Sequence, residues 1–312
     1  MNPIVVYADG ADGPLSAPSV VAAAAGVGGS PEVLFCWTVA EPDWLNDPAV
    51  TGRTGMAGYG LANAVARGQI EPLSMRISAM PNLLRQARPD VVILTGVRRG
   101  TQLVYGQTVS WMPIATEAAH RVVVEIDEDG YDLGAPEITG NIVATLTRPR
   151  SEQSRAAARP ADEIDLRIGA LVASLVPDNA TLQFGPGGIG EGIARALRKP
   201  VSIFSGLVTD AMADLADRGL LNGVVTAAYA WGGAPVRNLA ASGRLICQRR
   251  TSRRQADHID RWARGFLRGC VALAGWYVCH CTAIHHIEGR VQHRPNDRGG
   301  LHAQMRRQRR RH

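Results

Sequence analysis

Between Ala180 and Ile193 the chain reads Ala-Thr-Leu-Gln-Phe-Gly-Pro-Gly-Gly-Ile-Gly-Glu-Gly-Ile. Backbone this rich in glycine can approach a ligand closely and adopt positive φ. An apolar run, Leu171–Val176, precedes it after a short turn, and a helix pattern, Ile193-Ala-Arg-Ala-Leu-Arg198, follows. A helix N-terminus carries unpaired N–H groups and a partial positive charge. Together these make a ready site for a phosphate or an oxyanion, built from Gln183, Gly185, Gly187, Gly188, Ile189 and Gly190. Gly185, Gly187 and Gly190 also fit the dinucleotide fingerprint G-x-G-x-x-G. That fingerprint expects an acid at the end of the second strand. Asp210 has the right distance, but it lies beyond Val201-Ser-Ile-Phe204 in Ser-Gly-Leu-Val-Thr-Asp. A plain tight turn that packs a helix on a sheet is the competing reading.

Acyl-transfer chemistry needs a carboxylate near the reacting carbonyl and backbone donors for the oxyanion. Two carboxylates lie close by in sequence, Glu191 at the helix start and Asp210. Each has a structural alternative: Glu191 as a first-turn acid facing the helix dipole, Asp210 as the N-cap of the next helix. Ser205, His120 and Asp90 supply the residue types of a hydrolase triad, but no G-x-S-x-G elbow surrounds Ser205. Cys279-His280-Cys281 with His285-His286 has ligand types without the spacing of a closed zinc site, so no metal is expected.

The elements that must position these residues alternate. Pro3–Tyr7, Glu32–Cys36, Val91–Leu94 and Arg121–Glu125 read as strands; Gly58–Ala66, Ser78–Ala87 and Ile114–Ala119 read as helices. Such alternation predicts a mainly parallel sheet covered by helices, and continuous apolar strands fit burial on both faces. Arg148–Ala161 reads as a linker. Asp162–Leu175 reads as a helix, with Asp162 as N-cap and Ile164, Ile168, Leu171 and Leu175 at helical spacing. After the glycines come a strand over Val201–Phe204, a helix over Asp210–Ala216, a strand over Val224–Ala228 and a turn at Gly232-Gly233. The expected organisation is an α/β domain over 1–160, a shorter α/β domain over 161–246, and a tail over 247–312.

A chain of 312 residues, 46% hydrophobic and 20% charged, is globular in composition. Its apolar runs fall short of a membrane span, and Met1–Tyr7 has no basic stretch before it, so a cytoplasmic protein without a signal peptide is expected. The net charge of +6 comes from the tail: residues 247–312 hold fifteen arginines against Asp257, Asp260, Glu288 and Asp297. The same segment holds four of the five cysteines and seven of the eight histidines. An off-frame read of GC-rich coding sequence gives such a composition, and the expected break lies near Arg244–Gln248. The terminal arginines come without an aromatic stacking pattern, so nucleic acid is not an expected partner.

The wider run Thr181-Leu-Gln-Phe-Gly-Pro-Gly-Gly-Ile-Gly190, Val201-Ser-Ile-Phe-Ser-Gly-Leu-Val-Thr-Asp210 and Leu215-Ala-Asp-Arg-Gly219 resembles the acetyl-CoA hydrolase/transferase family, which includes 4-hydroxybutyrate CoA-transferase. Those proteins carry Leu-Gln-x-Gly-Ile-Gly, then Ile-His-Ser-Glu-Met-x-x-Asp, then Leu-x-x-x-Gly. Looser agreement runs from Gly68–Ser74 through Met80–Leu83, Pro89–Leu94, Tyr105-Gly106 and Ala118–Glu125. The resemblance implies two tandem CoA-transferase-like domains, the second incomplete. It implies coenzyme A as a substrate with no bound cofactor, and an acyl-CoA and a carboxylate as partners. No membrane is expected; a homodimer is a further candidate assembly. Two departures stand out. The family's glutamate nucleophile falls on Gly206 of Ser205-Gly206-Leu207, and its Pro-Pro-Asp-x-His loop is replaced by Val97-Arg-Arg-Gly-Thr-Gln102.

Overall fold

The computed structural model describes residues 4–10, 16–76, 79–148 and 160–247. In the first part of the chain the strands are β1 (Ile4–Gly10), β2 (Pro31–Thr38), β3 (Thr51–Thr54), β4 (Ile70–Pro72), β5 (Val91–Arg99), β6 (Gln102–Tyr105), β7 (Arg121–Asp127) and β8 (Ile142–Arg148). The helices between them are α1 (Pro18–Ala24), α2 (Ala62–Ala66), α3 (Met80–Ala87) and α4 (Met112–Ala118), with short 3-10 turns at Asp43–Asn46 and Tyr59–Leu61. The strands form one sheet in the order β4-β3-β2-β1-β5-β7-β8, parallel throughout, and β6 folds back antiparallel on the end of β5. Val91–Val97 of β5 and Val122–Ile126 of β7 are buried without a break, as a parallel sheet covered on both faces requires. Val6, Val33, Phe35, Val91, Ile93 and Val123 join Val21 of α1 and Leu61 in the core.

The second part holds α5 (Glu163–Ser174), β9 (Thr181–Leu182), α6 (Gly188–Ala196), β10 (Ser202–Ile203), β11 (Leu207–Thr209), α7 (Asp210–Asp217), β12 (Val225–Ala227), β13 (Tyr229–Trp231), α8 (Ala234–Ala241) and β14 (Leu245–Cys247). Its strands pair in parallel twos, β9 with β10, β11 with β13 and β12 with β14. Single bridges, Val201 with Leu221 and Phe204 with Thr226, tie β10 toward β12. The α/β class with a mainly parallel sheet is therefore as expected from the sequence.

Local details depart from the sequence reading. Leu171–Ser174 is helical, as the spacing over Asp162–Leu175 predicts, and the strand before the glycines is the two-residue Thr181–Leu182. Asp162 caps α5 as expected: its side chain accepts from the N–H of Asp165, whose own carboxylate accepts from the N–H of Asp162. The apolar stripe of α5 does not point inward. Ile164 and Leu171 are 67% and 58% exposed, whereas Asp165, Gly169 and Val172 face the protein. The reason is a close contact with α6: a Cβ on Gly169 would stand 2.2 Å from the carbonyl carbon of Gly192. Only glycine lets two helix backbones meet so closely. The fold continues through β14, where the Arg244 guanidinium donates to the carbonyls of Leu221 and Gly223. The arginine runs and the Cys279–His286 cluster of the tail, and most of the 148–161 linker, lie outside the described residues.

Candidate functional site

Helix α6 begins five residues earlier than its sequence pattern, within the glycine stretch. Gly187 is its N-cap, at φ +121, a conformation that favours glycine, and no side chain caps the helix. The first-turn N–H groups of α6 thus lack partners within the helix. Gly190 has a packing role: a Cβ there would lie 2.1 Å from the carbonyl oxygen of Gly185. Gly188, Gly190 and Gly192 are buried, so the accessible part of the stretch is exposed Gly185 and half-buried Gln183, Pro186, Gly187 and Ile189. The structure narrows the bare backbone of the sequence reading to this short segment.

Gly206, the position the sequence resemblance assigns to a glutamate, lies beside it. Phe204 N donates to the Leu182 carbonyl at 3.0 Å, which sets the segment after β10 alongside the segment after β9. Ser205 Oγ, buried, donates to the Phe184 carbonyl and accepts from the N–H of Leu207, each at 3.4 Å. Gly206 is half-buried, lies outside the positive-φ region, and its carbonyl accepts from the N–H groups of Ala228 and Tyr229, both at 3.0 Å.

The two candidate carboxylates line one open groove of about 730 Å³ between α6 and α7, together with Arg195, Asp214 and Arg218. Both are occupied. Glu191 pairs with Arg195 one turn along α6 and accepts from the N–H of Ala161 at 3.0 Å. Asp210 is the first residue of α7, whose N-cap is Thr209. Its carboxylate caps α8 instead, accepting from Gly233 N at 3.0 Å and Val236 N at 3.3 Å. Burial, then the charges of Asp210 and Asp217, push the Asp214 carboxyl above its usual range.

Ser205, His120 and Asp90 do not form a triad. Asp90 accepts from Val5 N and His120 N donates to the Pro89 carbonyl, both at the amino ends of the central strands, while Ser205 sits against Phe184. A group absent from the sequence reading lies near α8. The Arg237 guanidinium stacks 5.1 Å over the ring of Tyr131, and burial pushes the Tyr131 phenol up to about 12, with a hydrogen bond from Gln107 opposing. Among the described residues no set of three or more His, Cys, Asp or Glu could hold a metal ion, and no helix is long and apolar enough to cross a membrane.

No protein-family model matches the sequence, and no curated protein matches it. Solved structures do match in fold. The 4-hydroxybutyrate CoA-transferase of Porphyromonas gingivalis is 20% identical, with a TM-score of 0.59 over 79% of this chain and 62% of that one. RipA from Yersinia pestis is 16% identical, with a TM-score of 0.63 over 79% of this chain and 64% of that one. A protein described as the alfa subunit of citrate lyase, from Streptococcus mutans and in complex with citrate, is 13% identical, with a TM-score of 0.57 over 79% of this chain and 56% of that one. The fold is CoA-transferase-like. The chain spans less than two thirds of the length of each of these neighbours.

Proposed function

We propose that this chain binds acyl-CoA thioesters, as an acetyl-CoA hydrolase or CoA transferase acting on acetyl-CoA or another short acyl group. The observation that carries the reading is the juxtaposition of Ser205-Gly206-Leu207 with the glycine stretch, joined by the Ser205–Phe184 hydrogen bond. In this reading the thioester lies between the two, its oxyanion or a CoA phosphate on the Gly185–Ile189 backbone, and Gly206 holds the nucleophile's place. The chain comprises two α/β domains that meet near residue 160. Its acceptor is a carboxylate, its compartment the cytoplasm, and a shift of reading frame accounts for the composition after Cys247. Sequencing the locus tests that last point, and an intact frame in sister strains would remove it.

One observation favours a second reading, a CoA-binding relative without turnover or an inactive fragment of such an enzyme. Gly206 offers no carboxylate, and Glu191 and Asp210 are held by Arg195, Ala161 and the N-terminus of α8. Titration with CoA and with acetyl-CoA, alongside a thiol-release assay, separates the two. Binding with turnover supports the enzyme, binding alone supports the second reading, and no binding removes both.

A further inference from the structure

Residues 107–110, between β6 and α4, grip β13 at several points. The N–H groups of Val109 and Ser110 donate to the Ala228 carbonyl at 3.1 and 3.0 Å, and Ala230 N donates to the Gln107 carbonyl at 2.9 Å. Ser110 Oγ donates to Tyr229 Oη at 2.5 Å. Both residues are buried, and the ring of Trp37 meets that of Tyr229 edge-on at 5.2 Å. Ser110 holds φ at +29, where residues other than glycine are strained. Such a conformation persists only where its surroundings over-determine it. On the far side of the same strand turn, Ala228 N and Tyr229 N hold the Gly206 carbonyl, and neighbouring Ser205 bonds Phe184 at the edge of the glycine stretch. A continuous run of hydrogen bonds therefore leads from Ser110 through Tyr229 to position 206.

We propose that Ser110 and Tyr229 are positioning residues, whose hydroxyl pair sets where position 206 stands against Gly185–Gly187. The consequence for ligand binding rests on the acyl-CoA reading; the positioning itself does not. The pair joins residues 119 apart in sequence, so it fixes a relation that no local element supplies.

Hydrogen–deuterium exchange on the full chain tests it, with Tyr229→Phe, Ser110→Ala and Ser110→Gly. Ser110→Gly removes the hydroxyl but suits the positive φ, so it carries the test if Ser110→Ala does not fold. Peptides covering 183–190 and 204–210 should exchange about tenfold faster in each folded variant, the loss expected for one buried hydrogen bond. Strands β1, β2 and β5 should be unchanged. Unchanged exchange at 183–190, or equal acceleration across the N-terminal sheet, would overturn the proposal, since a purely structural contact gives one or the other. CoA titration of the same variants should show affinity weakened about tenfold. A wild-type chain that binds no CoA sinks the acyl-CoA reading alone, and the exchange result still decides the role of the hydroxyl pair.

Discussion

In the N-terminal sheet β1, β2, β5 and β7 run for seven to nine residues, whereas among the described residues no strand after α5 exceeds three. The long strands share their load along a ladder, with buried apolar side chains on both faces. The short strands lean on a few specific contacts: the Gly169–Gly192 backbone approach, the Arg218 guanidinium on the carbonyls of Ala194 and Leu197, and Asp210 on the N-terminus of α8. Arg218 thereby satisfies carbonyls at the end of α6 that have no partner within that helix. A ladder tolerates the loss of one rung; a focused contact does not. Single substitutions should therefore hurt the C-terminal region more than the N-terminal sheet.

The largest effect should be chemical. Gly206→Glu, placed in a chain whose C-terminal segment has been repaired, should raise thiol release from acetyl-CoA about a hundredfold or more over the unaltered chain. Gly206 lies outside the positive-φ region, so its backbone accepts a side chain. Robust turnover by the unaltered chain, insensitive to changes at Glu191 and Asp210, would instead point to an activated water or another nucleophile.

Stability comes next. Gly169→Val should cost about 3 kcal/mol, because a branched Cβ and its two methyls must enter a space already filled by the α6 backbone. Ile93→Val, deep in β5, should cost only about 1 kcal/mol. Urea unfolding of both variants compares the regions directly, and equal costs would erase the contrast. Asp210→Ala should cost about 1–2 kcal/mol through the lost cap of α8, with faster proteolysis confined to the C-terminal region. Loss without that confinement would show the two regions unfolding as one.

The smallest effect belongs to the N-terminal region. The Arg99 guanidinium, bonded to Asp132 at 2.5 Å, holds that carboxyl below its usual range, against the opposing effect of burial. A carboxyl depressed on folding adds stability that is present above its unfolded value, near 4, and fades as pH falls through its folded value. Both side chains are more than a third exposed, so Asp132→Asn should cost under about 1 kcal/mol, and the difference from the unaltered chain should vanish in acid. A difference constant from pH 6 to pH 3 would show that the charge contributes nothing.

The legibility of the sequence follows the same contrast. The strands β1, β2, β5 and β7 can be read because continuous apolar runs are a local signal, and α5 because its N-cap Asp162 and its apolar spacing are local too. Thr51-Gly-Arg-Thr54 and Ile70-Glu-Pro72 become strands only because a neighbour offers them an edge, so β3 and β4 carry no signal of their own. The sequence pattern starts this helix only at Ile193, yet Gly188, Gly190 and Gly192 sit inside α6, where Gly185 presses on Gly190 and the α5 backbone on Gly192. Glu191 matched its structural alternative as a first-turn acid. Asp210 caps a helix, but the later one, 23 residues away at Gly233. Ser110 and Tyr229 have no sequence signature, since neither is informative until the fold brings them together.

The eight-stranded sheet is complete by Arg148, before any of the glycine stretch. During synthesis, domains nearer the N-terminus generally fold first. The loop at 107–110 would then stand formed while the second half is still being made, its peptide groups already oriented when Ala228–Ala230 leave the ribosome. For the nascent chain, that loop is a template: the last strands need not search for their register but can settle on a surface that is already waiting.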